Sequence, residues 1–133
     1  VDWARHQGIT MIKPSVFPLN SVKALRGAFV AIDEGTISTY SRACFEAYWR
    51  DDKDLSQEDV LRAIVISVGM DADSFFERIG DDAVKRRLFE TTDDLIARGG
   101  FGSPTFFIDG DDMYFGNDRL ELMQSAIDRK KSA

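Results

Sequence analysis

The part of this 133-residue chain that most constrains its fold is a proline standing directly before a short apolar run near the end. The glycine-rich segment 99–103 leads into Pro104, and the run Thr105–Ile108 has the β-branched and aromatic composition of a strand. Proline has no N–H to donate to a strand ladder, so it is tolerated at this position only if the strand begins there. Asp109-Gly110 then marks a tight turn. We therefore predict a strand, a turn and a second antiparallel strand, followed by a helix that opens at Asn117-Asp118.

The same stretch predicts a site for a small peptide. A cis Ser103-Pro104 bond fits the kink before the strand, because cis bonds are nearly confined to proline. The backbone N–H and C=O of Ser103 would then be open to an extended peptide that adds itself as a strand. The helix start at Asn117 places free N–H groups nearby, which suit a carboxylate, and Asp118 suits an ammonium group.

The sequence Gly-Phe-Gly-Ser-Pro-Thr-Phe-Phe-Ile-Asp-Gly (100–110), followed by Phe-Gly-Asn-Asp-Arg (115–119), resembles the C-terminal signature of the 2-hydroxychromene-2-carboxylate isomerases. These enzymes are related to kappa-class glutathione transferases within the DsbA-like thioredoxin-fold group. Phe17-Pro18-Leu19-Asn20-Ser21 and the helical middle fall in the same order as in the family. The resemblance implies an α/β fold, a thioredoxin-like (DsbA-like) sheet with an inserted all-helical subdomain. The expected division is 1–19, 20–98 (the helical insertion) and 99–133.

The resemblance also implies roles for individual residues. The backbone of Ser103 would bind the cysteinyl part of glutathione, Pro104 would shape that segment, and Asn117 with Asp118 would bind the γ-glutamyl end. Asn20 is a candidate contact for an aromatic substrate. Two plainer interpretations stay open: Asn117 or Asp118 caps the last helix, and Pro104 is an ordinary trans proline.

The implied activity is that of a glutathione-dependent cis–trans isomerase of the 2-hydroxychromene-2-carboxylate type, acting in aromatic compound degradation as a homodimer. In the resembled enzymes a serine after the first strand of the sheet supports the glutathione thiolate. No residue of this chain matches that serine. We therefore expect the chain to be the part that follows the first strand and active-site helix, with the N-terminal strand missing and the catalytic serine upstream.

Three alternatives to this activity remain. A kappa-type glutathione transferase would share every residue named above. A DsbA-like thiol-disulfide oxidoreductase would need a Cys-x-x-Cys upstream, and a fragment with nothing before it would be a non-catalytic peptide-binding domain.

Composition narrows the partners and the compartment. The net charge of −6 and the pI near 4.7 disfavour nucleic acid, which requires a basic face. The apolar stretches are interrupted by charges, so no membrane span is expected. A single cysteine, Cys44, excludes an internal disulfide and favours a reducing, cytoplasmic location. No metal-ligand spacing is present. Cys44 lies on an apolar helical stripe and is expected to be buried, whereas His6 is expected to be solvated.

Periodicity and capping signals give the remaining elements. Ile9–Ile12 is expected to form a short strand. Helices are expected at 21–34, at 36–50, from a Ser56 cap to Gly69, at 70–78 with an Asp71 cap, at 82–98 and at 118–130.

Overall fold

The computed structural model describes residues 2–110 and 112–132, and these divide into two compact units on either side of the boundary between Leu88 and Phe89. The helices of the first unit are α1 (Asp2–His6), α2 (Val22–Asp33), α3 (Ile37–Trp49), α4 (Glu58–Ser67) and α5 (Ala72–Gly80). Helix α6 (Asp82–Ala97) contains the boundary between the units. The division at residues 19 and 98 that the sequence suggests stays a prediction.

The ends of these helices follow local sequence signals. Gly35 and Gly69 adopt positive φ angles of 73° and 82° just after α2 and α4, as helix-ending glycines do. The Asp71 side chain accepts a hydrogen bond from the Ser74 N–H at 2.7 Å and caps α5, as predicted. The predicted Ser56 cap of α4 is wrong. The N–H of Ser56 donates instead to Asp54 at 2.9 Å, and this side-chain turn delays the helix until Glu58.

The core of the first unit lies among α2, α3, α4 and α5. The largest fully buried side chains come from all four helices: Val30, Tyr40, Leu61, Val65 and Phe75. The Tyr40 hydroxyl donates to the Ala24 carbonyl at 2.9 Å, so the buried phenol is satisfied. Gly27 lets α2 approach closely, because a β-carbon there would collide with the Phe75 ring and the Tyr40 hydroxyl.

Ion pairs join the end of α2 to α5 and α6. Asp33 accepts hydrogen bonds from Arg78 at 3.0 Å and from Arg87 at 2.9 Å, and Arg78 also donates to Glu34 at 2.7 Å. The Arg87 guanidinium lies 4.8 Å from the centre of the Phe29 ring. Because several charges share one network, it stabilises the packing of α2 more than isolated surface pairs would.

The strand predicted at Ile9–Ile12 is wrong. In the described residues this segment pairs with no other strand, and its backbone bonds to helices instead. The Ile9 N–H donates to the Ala4 carbonyl and the Ile12 N–H to the Trp49 carbonyl, both at 2.8 Å. β-branched composition favours a strand only where a second strand supplies a ladder. The side chains of Ile9, Met11 and Ile12 remain exposed.

The second unit contains the predicted hairpin and the last helix. Strands β1 (Thr105–Ile108) and β2 (Asp112–Phe115) pair antiparallel, with Thr105 opposite Phe115 and Ile108 opposite Asp112. A 3-10 turn (Asn117–Arg119) precedes α7 (Leu120–Lys131). The last helix therefore begins later than predicted, because Gly116, with a φ of 105°, is followed by this tighter turn.

Side chains tie the hairpin to the helices of its own unit. The Arg98 guanidinium lies 3.6 Å from the centre of the Phe107 ring, donates to the Gly110 carbonyl and pairs with Asp94 at 3.4 Å. At the turn, Lys130 of α7 pairs with Asp109 at 3.0 Å. These contacts fix the turn end of the hairpin.

The apolar spacing in 82–98 and 118–130 predicts that Thr92, Ile96 and Leu120 face inward, but all three are exposed. Val84 and Ala126, by contrast, are buried. Periodicity shows which residues share a stripe, but it does not show how far along the helix another element covers that stripe. Within the part of the chain that the structure describes, no helix is long and apolar enough to span a membrane.

Candidate functional site

The hairpin brings Ser103-Pro104 and Asn117-Asp118 to its open end. The Gly116 N–H donates to the Pro104 carbonyl at 3.0 Å. This bond continues the ladder by one step beyond the pair of Thr105 and Phe115. Ser103 and Asn117 flank this bond just beyond the ends of the two strands, so the residues that the sequence singled out are neighbours in space.

The backbone of Ser103 is open. Within residues 2–110 and 112–132 its N–H and C=O make no hydrogen bond, and the residue is exposed. In an antiparallel ladder, bonded and non-bonded pairs alternate. Since Pro104 bonds to Gly116, the backbone groups of Thr105 point away from β2, toward the free edge of β1. The Ser103-Pro104 bond is cis, as the sequence indicated.

Asn117 and Asp118 are both exposed at the start of the 3-10 turn. Neither the turn nor α7 has a side-chain capping hydrogen bond, so the interpretation of these two residues as helix caps is wrong. Asp118 pairs loosely with Arg119, at 3.6 Å. Gly116 has a φ of 105°, which favours glycine, and a β-carbon there would lie 2.5 Å from a carboxylate oxygen of Asp118, so another residue would push this carboxylate aside.

A pair of aromatic rings beside Ser103 was not foreseen from the sequence. Phe101 and Phe115 lie with their ring centres 4.6 Å apart, although they are 72% and 41% exposed. A β-carbon on Gly102 would come within 2.7 Å of the Phe115 ring, so the glycine permits this contact. The sequence shows an aromatic residue inside a glycine-rich segment, but it does not show which other residue this ring contacts.

Asn20 belongs to the first unit, where its role toward a substrate stays a prediction. Its side-chain oxygen accepts a hydrogen bond from the Val22 N–H at 3.2 Å and so organises the first turn of α2. The flanking residues Leu19 and Ser21 line an apolar cavity of about 430 Å³, which lies between segment 17–19, helix α2 and helix α3.

The cysteine is structural, as the sequence predicted. Cys44 is only 8% exposed on α3 and forms no disulfide. Burial raises the pKa of its thiol, and the nearby Tyr40 hydroxyl opposes this shift only in part. A thiol held neutral in this way is a poor nucleophile. His6 is exposed and lies edge-on to Trp3, and the described residues contain no cluster of His, Cys, Asp and Glu fit for a metal ion.

Comparisons with known proteins cover nearly the whole chain. The family model of the DSBA-like thioredoxin domain matches residues 1–128. The chain is 31% identical over 127 residues to a 2-hydroxychromene-2-carboxylate isomerase of Pseudomonas putida, a match that covers 96% of this chain and 61% of that protein. It is also 31% identical over 96 residues to human glutathione S-transferase kappa 1, covering 68% of this chain and 42% of the transferase.

A solved structure gives the same result in three dimensions. The structure of a selenomethionine-labelled 2-hydroxychromene-2-carboxylate isomerase superimposes with a TM-score of 0.85 at 30% identity. The match covers 96% of this chain and 62% of that one. The chain thus spans about 61% of the length of the Pseudomonas putida isomerase and has the thioredoxin-like arrangement that its sequence predicts, helix-rich with a small antiparallel sheet.

Proposed function

The chain belongs to the DSBA-like thioredoxin domain family, and from that premise we propose that it functions in the glutathione-dependent cis–trans isomerisation of 2-hydroxychromene-2-carboxylate. The observation that carries this proposal is the neighbourhood of the open Ser103 backbone and the Asn117-Asp118 pair, joined by the hydrogen bond from Gly116 to Pro104. The relatives named as this isomerase support the choice of reaction.

The exposed groups fit the chemistry of the cysteinyl and γ-glutamyl parts of glutathione. The N–H and C=O of Ser103 pair with the cysteinyl backbone, as an added strand would. The Asp118 carboxylate accepts hydrogen bonds from the γ-glutamyl ammonium group. The free backbone N–H groups at the start of the turn at Asn117 donate to the carboxylate at the same end of glutathione. Charged partners make the second contact the stronger of the two.

Bound glutathione supplies the thiol that reversible addition to a conjugated double bond requires. The chain's own residues bind and orient the tripeptide, so that its thiol is held in one place relative to the hairpin. We assign no catalytic role to any side chain of residues 2–110 and 112–132. Asn20 is proposed to contact the small aromatic substrate.

The same family relationship extends the proposal to the whole protein. We propose a homodimer in the cytoplasm, with glutathione and an aromatic carboxylate as ligands. Nucleic acid is not a proposed partner, because the net charge of −6 repels phosphate.

A kappa-type glutathione transferase is the second candidate. It is favoured by the 31% identity to the human kappa enzyme over 68% of this chain. The two activities differ in their product: an isomerase returns glutathione unchanged, whereas a transferase consumes it. Measuring free thiol during turnover separates them.

The carboxylate of Asp118 gives the first test. Asp118→Asn removes the charge that faces the ammonium group but keeps the shape of the side chain, and we expect it to weaken glutathione binding about tenfold. Isothermal titration calorimetry measures the affinity. N-acetylglutathione lacks the ammonium group, so its affinity should be the same for the variant and the original protein.

Asp128→Asn is the matched control. Asp128 is an exposed aspartate of α7 that accepts a hydrogen bond from Gln124 at 2.8 Å. Its substitution should leave glutathione affinity unchanged. The proposal fails if glutathione does not bind to the original protein, or if both variants weaken binding equally.

A further inference from the structure

Two side chains of the hairpin lie against the segment that carries Ser103, and the proposed function leaves both without a role. Thr105 of β1 is directly opposite Phe115 of β2. Residues that are directly opposite each other on two strands present their side chains on the same face of the ladder. The Thr105 hydroxyl and the Phe115 ring therefore share one face of the hairpin.

Both of these side chains reach Gly102, the residue before Ser103. The Thr105 hydroxyl donates a hydrogen bond to the Gly102 carbonyl. The Phe115 ring occupies the space beside Gly102 where a side chain would begin, because a β-carbon there would lie 2.7 Å from the ring. The same ring packs against Phe101 with ring centres 4.6 Å apart. A hydrogen bond and a ring contact thus hold the chain just before Ser103.

The hydrogen bond from Thr105 sets the direction in which the Ser103 N–H points. The Gly102 carbonyl and the Ser103 N–H belong to one planar peptide unit, and in a trans unit these two groups point in opposite directions. The bond between Gly102 and Ser103 is trans. Because the carbonyl points toward the Thr105 hydroxyl, the Ser103 N–H points away from it. Within residues 2–110 and 112–132 this N–H donates to no acceptor.

We propose that Thr105 is a positioning residue for glutathione, because its hydroxyl holds the Gly102 carbonyl and so aims the Ser103 N–H at the ligand before the ligand arrives. The segment that leads to Ser103 contains Gly99, Gly100 and Gly102, which by themselves favour no single conformation. Without the hydroxyl, this segment would become ordered only on binding, and affinity would fall. The inference rests on the proposed function, which supplies glutathione as the ligand.

A pair of substitutions at Thr105 tests the proposal. Thr105→Val removes the hydroxyl and keeps the shape of the side chain, and we expect it to weaken glutathione binding about fivefold in calorimetry. Thr105→Ser keeps a hydroxyl and should bind within about twofold of the original protein. The proposal is overturned if Thr105→Val binds glutathione as tightly as the original protein, or if Thr105→Ser is as weak as Thr105→Val.

Thr39→Val is the matched control. The Thr39 hydroxyl of α3 donates to the carbonyl of Thr36 at 2.8 Å, so the same change removes a hydrogen bond over the same sequence separation in the first unit. Its glutathione affinity should be unchanged. An equal loss in Thr39→Val and Thr105→Val would mean that the removal of any such hydroxyl weakens binding, and it would overturn the proposal.

Urea unfolding separates positioning from stability. Valine is as well suited to a strand as threonine, and the exposed Gly102 carbonyl can bond to water once the hydroxyl is gone. Thr105→Val should therefore unfold at the same urea concentration as the original protein while binding glutathione more weakly. Lower stability with unchanged glutathione affinity would make the role of the hydroxyl structural and overturn the proposal.

A measurement without ligand distinguishes this inference from the proposed function. In ¹⁵N relaxation of the free protein, the order parameter of the Ser103 amide should be lower in Thr105→Val than in the original protein and in Thr105→Ser. If the order parameter falls but the original protein does not bind glutathione, the proposed function fails and the hold of Thr105 on Gly102 stands. If the original protein binds glutathione but Thr105→Val changes neither affinity nor order parameter, the positioning role fails and the proposed function stands.

Discussion

Gly27 decides how closely α2 packs on its neighbours. A methyl group at this position would meet the ring of Phe75 and the hydroxyl of Tyr40, which are 0% and 1% exposed and have little freedom to move. We expect Gly27→Ala to destabilise the protein by about 2 kcal/mol, because overpacking exceeds the gain in helix propensity. Urea unfolding followed by circular dichroism measures the change.

Gly80→Ala is the control for this prediction. Gly80 is the last residue of α5, and a β-carbon there would have no neighbour within 4 Å. This substitution should be neutral or stabilise the protein by up to about 1 kcal/mol. If Gly27→Ala were as well tolerated as Gly80→Ala, the tight packing described for α2 would be wrong.

The start of α5 depends on one side chain. Asp71 accepts the Ser74 N–H at 2.7 Å, and Asp71→Ala leaves that donor without its partner. We expect a loss of about 1 kcal/mol in the free energy of unfolding, with most of it restored in Asp71→Ser, which can also cap. Thermal and urea unfolding of both variants provide the measurement.

Asp73→Ala separates capping from charge. Asp73 lies in the same first turn and pairs with Arg62 at 2.8 Å while its side chain is 90% exposed. Exposed pairs contribute little, so this variant should lose less stability than Asp71→Ala. Equal losses would mean that the negative charge, and not the hydrogen bond, stabilises the helix start.

Elements with local signals could be predicted from the sequence. Gly35, Gly69 and the Asp71 cap set helix ends through contacts within a few residues, so the sequence alone shows them. The segment Ile9–Ile12 has the composition of a strand, but strand formation depends on a partner elsewhere in the chain. The exposure of Ile96 could not be predicted for the same reason. Whether the apolar stripe of a helix is covered depends on residues that are distant in the sequence.

The site divides in the same way. Pro104, the glycines around it and Asn117-Asp118 are consecutive signals of a strand start and a helix start, so the sequence placed them together. The contact of Phe101 with Phe115 joins the glycine-rich segment to the end of β2, and it escaped prediction. The apolar cavity escaped it too, since its wall combines a loop and two helices that only the folded unit assembles.

The stability of the whole protein should fall in alkali because two buried acids resist ionisation. Burial raises the pKa values of Tyr40 and Cys44 in the folded protein, whereas in the unfolded chain these pKa values are about 10 and 8.5. Above about pH 8.5 the unfolded chain therefore holds fewer protons than the folded one, and the free energy of unfolding decreases as pH rises. Below that pH both states are protonated and these groups contribute no pH dependence.

Urea unfolding between pH 7.5 and 10.5 measures this decrease. Tyr40→Phe and Cys44→Ala each remove one of the two groups, so their stability should fall less steeply with pH than that of the original protein, whatever their stability at pH 7.5. A slope that is unchanged in both variants would show that other groups cause the alkaline loss.

The hydrogen bond from Gly116 to Pro104 is the last rung of a short ladder, at its exposed end. End rungs open more often than the rest of a fold, and each opening separates Ser103 from Asn117. During that time the two halves of the proposed glutathione site are apart, and the apparent affinity for glutathione would be lowered by the fraction of molecules in the open form. The hydrogen–deuterium exchange rate of a single amide, that of Gly116, therefore reports how much of the protein is ready to bind at any instant.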